Sequence, residues 1–138
     1  MTNSSVIHDF LAQDTLAVVG VSHDRRKFGN IVYRDLRAKG YRVLAVHPHH
    51  DTVEGDPCYP DLAALPERVD GIVVVVPPDV TEQIVRQAHA AGITRVWLQP
   101  GAESAAAVAY GQAHGLTVIY DECVMVLAPR RTSARFEV

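Results

Sequence analysis

The chain of 138 residues lacks an excess of either charge: 13 Lys and Arg stand against 16 Asp and Glu, a formal net charge of −3. Without a general basic field, nonspecific binding to nucleic acid or to an anionic membrane has no electrostatic basis. Long apolar runs are missing as well. The run Ile72 to Val76 is a β-branched block about a quarter of the length of a membrane span, the pattern of a buried strand. Cysteine is confined to Cys58 and Cys123, and the opening Met1-Thr2-Asn3-Ser4-Ser5 lacks the charged and apolar regions of a secretory signal, so a reduced, cytoplasmic setting is expected. There is no internal repeat and no low-complexity segment. There is also no G-x-S-x-G elbow and no Ser-His-Asp set, so the residues give no acyl-transfer nucleophile and the expected role is non-catalytic.

What is present is a core. Apolar residues make up 48% and charged residues 21%, an ordinary globular balance, and the length fits one domain spanning 1–138, with a leading helix in 1–13 and a basic C-terminal tail in 129–138. Leu16 to Gly20 reads as a strand ending in glycine, followed by a polar loop and a helix from Gly29 to Lys39 that Gly40 closes. Tyr41 to Val46 is a second strand, stopped by Pro48. Residues 49–70, punctuated by Pro57, Pro60 and Pro66, read as an irregular connection. Gly71 to Val76 is the third strand, and Asp79 opens a helix whose apolar positions Val80, Ile84, Ala88 and Ala91 share one face. Thr94 to Leu98 and Leu116 to Tyr120 are strands four and five, separated by a helix with Ala106, Ala109, Tyr110 and Ala113 on its apolar face. Cys123 to Leu127 is a short final helix. Alternating strands and helices give an α/β class: a single Rossmann-like, three-layer domain around a five-stranded, mainly parallel sheet. In such a sheet ligands sit beyond the carboxyl ends of the strands, so function is read there.

After strand one, Gly20-Val21-Ser22-His23-Asp24-Arg25-Arg26-Lys27-Phe28-Gly29 places a glycine at each end of a loop with three cations between. Glycines let backbone approach a diphosphate, a helix N-terminus offers free N–H groups, and Arg or Lys pairs phosphate oxygens. The loop is not G-x-G-x-x-G, because Ser22 takes the second glycine position and Gly29 comes late. Strand two ends in His47-Pro48, where a dinucleotide site places a carboxylate for the ribose. Asp51 and Glu54 lie past the proline and would need unusual geometry to supply it. At the same sheet edge Val76-Pro77 and Gln99-Pro100-Gly101 offer apolar walls and an amide, while Trp97 reads as core.

These strings together resemble a family, the small stand-alone CoA-binding proteins related to the N-terminal domain of the succinyl-CoA synthetase α subunit. The resemblance runs nearly end to end. Val18-Val19-Gly20-Val21-Ser22 is similar to the family's V-V-G-A-S, and Gly40-Tyr41-Arg42-Val43 with Val46-His47-Pro48 to its G-Y-x-V…V-N-P. Cys58-Tyr59-Pro60-Asp61-Leu62, Val96-Trp97-Leu98-Gln99-Pro100-Gly101 and Asp121-Glu122-Cys123 follow in the family's order. The resemblance implies coenzyme A, or an acyl-CoA, lying across the strand ends. Gly20, Val21, Ser22, Arg26, Lys27, Phe28 and Gly29 would meet its phosphates, His47 and Pro48 its adenosine, and Val76, Pro77, Gln99 and Gly101 the rest. The chain departs from the pattern at His47 for asparagine, at Val75-Val76-Pro77 without a preceding cation, and at Glu122 for arginine. Fewer cations imply weaker phosphate pairing.

Two rival readings use the same cleft: a small NAD(P)-binding oxidoreductase or redox sensor, and the CoA-binding subunit of a split acyl-CoA synthetase completed by a separate partner. Related synthetases phosphorylate a histidine in a further domain, beyond the residues of this chain. An exposed sheet edge or helix face could pair two copies. His47, His49, His50, Asp51 and Cys58 match no closed four-ligand metal pattern, and a solvated loop is the simpler reading. Cys123 lies near the expected end of a pantetheine arm, but a buried Cys in a short helix explains it more cheaply than a reactive thiol. His89 and His114 read as solvated helix residues.

Overall fold

The computed structural model describes residues 3–131. Asn3 caps the first helix, α1 (Ser4–Leu11), by accepting a bond from the Ser5 N–H. Then follow β1 (Thr15–Val19), α2 (Phe28–Ala38), β2 (Arg42–Val46), β3 (Thr52–Val53) and β4 (Asp56–Tyr59). A 3-10 turn (Leu62–Ala64) leads to β5 (Gly71–Val74), α3 (Pro78–Ala90), β6 (Arg95–Leu98), α4 (Ala105–Ala113), β7 (Thr117–Ile119) and α5 (Val124–Leu127). The sheet order is β3-β4-β2-β1-β5-β6-β7, every neighbouring pair parallel except β3 with β4.

The sheet therefore has seven strands, not five. The two additional strands fold out of the segment read as an irregular connection. Glu54 and Gly55 both take positive φ, 53° and 76°, the backbone of a two-residue hairpin turn, and Val53 pairs with Asp56 across it. Pro57 sits opposite Thr52, while Cys58 N–H bonds the Asp51 carbonyl; Pro57 thus occupies a non-hydrogen-bonded pair, where its missing N–H costs β3 nothing. Cys58 and Tyr59 then dock in parallel on Ala45 and Val46.

The central strands are buried on both faces, and alternate residues go to different layers. Leu16, Val18, Val73, Trp97 and Ile119 meet α1, α2 and α5; Ala17, Val19, Ile72, Val74, Val96, Leu98 and Val118 meet α3 and α4. Trp97 is core, as expected: fully buried, edge-on to Phe10 at 5.2 Å, with its Nε1–H donating to the Glu122 carbonyl at 2.9 Å. The helix faces are rotated from the sequence reading. In α3 the buried positions are Thr81, Ile84, Val85 and Ala88, with Val80 half-buried and Ala91 exposed. In α4 they are Ala107 and Gly111, with Ala106, Ala109 and Ala113 exposed. An alanine-rich helix has almost no apolar contrast between its sides. What seats it is size, since a Cβ on Gly111 would lie 2.5 Å from Val118 Cγ2.

Of the tail, only 129–131 falls within the described residues; 132–138 lies outside them. Arg131 stacks over the Tyr41 ring at 4.5 Å, pairs with Asp14 at 2.7 Å and bonds the Gln13 carbonyl, so this basic residue closes the bottom of the domain. No helix among the described residues is long and apolar enough to cross a membrane.

Candidate functional site

From β1 the chain turns to β2 on one side and later to β5 on the other, so the topological switch point lies at the carboxyl ends of β1 and β5. A cleft of about 540 Å³ opens there. Its walls come from three strand ends, Val19-Gly20, Val46 to His49 and Val75 to Pro77, with Lys27 above and Val80, Gln83, Ile84 and Gln87 of α3 along one side. A larger hollow of about 740 Å³ lies at the opposite end, where Val69 and Ile93 enter their strands and α3 ends at Ala90. A helix C-terminus carries partial negative charge, which disfavours a phosphate there, so the smaller cleft is the candidate site.

Of the thirteen residues expected at the ligand, six line this cleft: Gly20, Lys27, His47, Pro48, Val76 and Pro77. Gly20 and Gly29 bring the loop to it. Gly20 has φ +115°, and a Cβ there would stand 2.0 Å from the Val75 carbonyl oxygen. A Cβ on Gly29 would stand 2.2 Å from the Gly20 carbonyl oxygen, so the first turn of α2 rests directly on the end of β1. Lys27 precedes that helix without a side-chain cap, which leaves the leading N–H groups open to an anion.

The other expected phosphate contacts do different things. Val21 is fully buried in the core, and Ser22 is held by Asn30, whose Oδ1 accepts the Ser22 N–H at 2.9 Å and whose Nδ2 donates to the Ser22 carbonyl at 2.7 Å. Arg26 is exposed and forks onto Asp24, which draws that carboxyl below its usual range. Arg25 pairs with Glu54 at 3.2 Å. Lys27 has no ion pair among the described residues, and it is the cation that faces the cleft. Phe28 is exposed beside it.

Sequence reasoning missed the residue that organises this loop. The Glu54 side chain is only 2% exposed, and it accepts from Asn30 Nδ2 at 2.9 Å, Arg34 Nη1 at 2.6 Å and Arg25 Nε at 3.2 Å. Burial alone would raise its pKa, but the bonds from Asn30, Arg34 and Arg25 outweigh it and hold the carboxyl below its ordinary value. One carboxylate of the β3–β4 hairpin thus ties that hairpin to the loop after β1 and to α2. Its signal in the sequence is faint: an acidic residue before Gly55 in a turn, with arginines some twenty and thirty positions away.

Beyond Val46 lies a column of imidazoles. His23 stacks on His50 at 3.7 Å between ring centres, and His50 stacks on His47 at 4.1 Å. His47 accepts the His49 N–H on Nδ1 at 3.1 Å. Burial, then the neighbouring rings, pushes the His47 and His50 pKa values below the usual histidine range. Among the described residues no group of three or more His, Cys, Asp or Glu is placed to hold a metal ion. His89 and His114, read as solvated helix residues, are exposed and flank Tyr110, which His114 stacks at 3.9 Å and His89 meets at its hydroxyl, 3.1 Å away.

At the far edge, Gln99 does not face the cleft. It is fully buried, its Oε1 accepts the Val124 N–H at 2.6 Å, and its Nε2 approaches the half-buried Cys123 Sγ at 3.5 Å. Gln99 is the seat of α5. Gly101 is exposed nearby, its N–H bonding Glu103. Truncation as Gln99→Ala orphans a buried N–H and should cost about 2 kcal/mol. We expect a melting temperature lower by roughly 5–10 °C. An unchanged melting temperature would return Gln99 to the list of ligand contacts.

Comparison with known proteins gives the family of the chain. A family model described as CoA binding domain matches residues 14–129. The acetate–CoA ligase (ADP-forming) I of Archaeoglobus fulgidus is 36% identical over 72 residues, 52% of this chain and 10% of that protein. The subunit alpha of acetate–CoA ligase (ADP-forming) II of Pyrococcus furiosus is 29% identical over 82 residues, 59% of this chain and 18% of that protein. The chain therefore spans under a fifth of these curated relatives. Among solved structures, a conserved hypothetical protein of Pyrococcus furiosus is 42% identical, with a TM-score of 0.78 over 82% of this chain and 97% of its own. With the glycine loop, the switch-point cleft and nearly the whole described length matched together, the chain belongs to the CoA binding domain family.

Proposed function

We propose that this domain binds coenzyme A or an acyl-CoA in the switch-point cleft, as a carrier or sensor of the cofactor and not as a catalyst. The observation that carries the reading is the convergence on one cleft of Gly20, a facing Lys27 and the uncapped start of α2, within a chain of the CoA binding domain family. The diphosphate lies at the Gly20–Gly29 loop, and the adenosine lies against His47 and Pro48. The rival dinucleotide reading loses support from Glu54: its carboxylate is enclosed by Asn30, Arg34 and Arg25 and is not free to hold a ribose. The same chemistry needs a reduced cytoplasmic pool of thiol cofactor, and it needs neither nucleic acid nor a membrane. A second reading, a subunit completing an ADP-forming ligase with a separate partner, is favoured by the relative that is itself a subunit alpha.

Thermal-shift titration with CoA, acetyl-CoA, NAD, NADP and ATP tests the first reading, because a ligand that binds only the folded state raises stability by RT ln(1 + [L]/Kd). CoA or acetyl-CoA should stabilise the protein. Joint neutralisation as Arg26→Ala and Lys27→Ala should weaken CoA at least about tenfold, the loss expected for charge-assisted phosphate bonds, with less effect on NAD. Stabilisation by NAD and not by CoA would overturn the reading. Copurification of a stoichiometric ligase subunit would decide for the second.

A further inference from the structure

The column His23–His50–His47 has a specific place. His23 belongs to the loop after β1, His47 lines the cleft with Lys27, and His50 lies between the two rings. The interplanar angles are 29° and 27°, so the three rings form a nearly parallel pile beside the expected phosphate position.

We propose that His23, His50 and His47 form a proton-taking subsite for a phosphate or diphosphate group, so that anion binding in this cleft draws a proton onto the column. The inference rests on the cleft receiving a phosphorylated ligand, as above, and adds which residues couple that binding to pH.

Hydrogen bonds assign the protons of the neutral rings. His47 accepts the His49 N–H at Nδ1, so its own hydrogen is on Nε2 and is a donor. His23 Nε2 stands 2.9 Å from the Thr52 carbonyl, which only accepts; that nitrogen carries the hydrogen and Nδ1 is left basic. Three contiguous rings cannot all be charged, because like charges some 4 Å apart repel strongly. One imidazolium stacked on a neutral ring is favourable, as for any cation over an aromatic face. The column thus holds one added proton as a unit, not three.

Among the described carboxylates near the column, Asp51 is the one without an ion pair, and it is exposed to water, so that proton is only partly compensated until a ligand arrives. Around the column stand His49 and Lys27 at the cleft, Asp51 next in the chain, and Arg25, Arg37 and Glu54 behind His23. Arg25 and Glu54 close on each other and Arg37 closes on Asp56. Burial and the neighbouring rings lower the pKa of His47 and of His50, which disfavours charge on those two rings. A phosphate placed at Lys27 supplies the missing negative charge, raises the column's pKa and is bound more tightly as pH falls. At one proton per site the affinity changes by at most about tenfold per pH unit between the free and bound values.

The test follows the histidine side chains by NMR from about pH 8 to about pH 5, through the histidine range. Protein alone is compared with protein plus inorganic pyrophosphate, and then with protein plus CoA. Pyrophosphate should raise the midpoint of at least one ring of the column by about one unit. His50→Asn, which interrupts the pile, should abolish that rise while His89 and His114 titrate as before; His23→Asn gives the same comparison should His50→Asn fail to fold. Midpoints that do not move with either probe, or a rise that persists in both variants, would overturn the proposal. A rise with pyrophosphate but none with CoA, in a protein that CoA does not stabilise, upholds the subsite and removes coenzyme A as its ligand. Stabilisation by CoA with every midpoint unmoved removes the subsite and leaves the CoA reading standing.

Discussion

Gly20→Ala should be the most damaging single substitution in the domain, lowering stability by about 4 kcal/mol, from backbone strain together with overpacking against a fixed neighbour. Both terms are visible. The residue holds φ +115°, where side chains are strained, and the added carbon would fall 2.0 Å from the Val75 carbonyl oxygen and 3.3 Å from Val76 Cγ1. The obstructing atom is backbone just past the end of β5, so it cannot rotate away as a side chain would. Two further glycines separate the terms. Gly101 has φ +95° with nothing within 4 Å, so Gly101→Ala shows strain alone, about 1–2 kcal/mol. At Gly29 φ lies outside the positive range that L residues avoid, yet its Cβ would sit 2.2 Å from Gly20 O, so Gly29→Ala shows crowding alone. We expect thermal melting to rank Gly20→Ala worst, lower by about 15 °C, with Gly29→Ala next and Gly101→Ala mildest. A Gly20→Ala protein as stable as Gly101→Ala would mean that the strand ends have slack, and the rigid approach of loop to cleft would have to be abandoned.

That close approach also explains what a sequence reader can and cannot see. The five expected strands are legible because each is a β-branched or apolar run bounded by Gly or Pro, and burial on both faces makes such runs continuous. β3 and β4 are not, because Thr52-Val53 is only two residues long, Asp56-Pro57-Cys58-Tyr59 carries no apolar run, and Pro57 argues against any strand. The only local clue is the turn at Glu54-Gly55. In the site, glycine and proline positions could be read because their roles are backbone roles, fixed by position along the chain. Thus Gly20, Pro48 and Pro77 line the cleft at the strand ends. Gln99 could not be read, since nothing in Leu98-Gln99-Pro100 says whether an amide at a strand end turns out to a ligand or in to the Val124 N–H. The same limit hid the difference among three adjacent cations. Arg25 closes on Glu54 of the hairpin some thirty residues later and Arg26 on Asp24 of its own loop, while Lys27 has no ion pair among the described residues.

Glu54→Ala should be the second most damaging change, and its pH dependence identifies the cause. The carboxylate is buried, and its removal strips partners from Arg34, Arg25 and the Asn30 amide that also holds Ser22. Deleting one member of a buried charged network costs several kcal/mol, but Arg25 is 70% exposed and Arg34 32% exposed, so water recovers part of the loss. We expect about 3 kcal/mol, or about 10 °C in melting temperature. The carboxyl's pKa is lower in the folded protein than in the unfolded chain, so its contribution is complete above the ordinary carboxyl value and disappears as pH falls through the folded value. The stability gap between the wild-type protein and Glu54→Ala should therefore be widest near neutral pH and close progressively in acid. Two outcomes separate this account from simple loss of packing. A gap that stays constant down to acid pH means the charge is not the cause, whereas a gap that closes, together with faster proteolysis between Ser22 and Lys27, shows that one hairpin carboxylate holds the phosphate-facing loop in place. Arg26→Ala serves as the control: its pair with Asp24 is exposed, and its loss should leave the melting temperature unchanged.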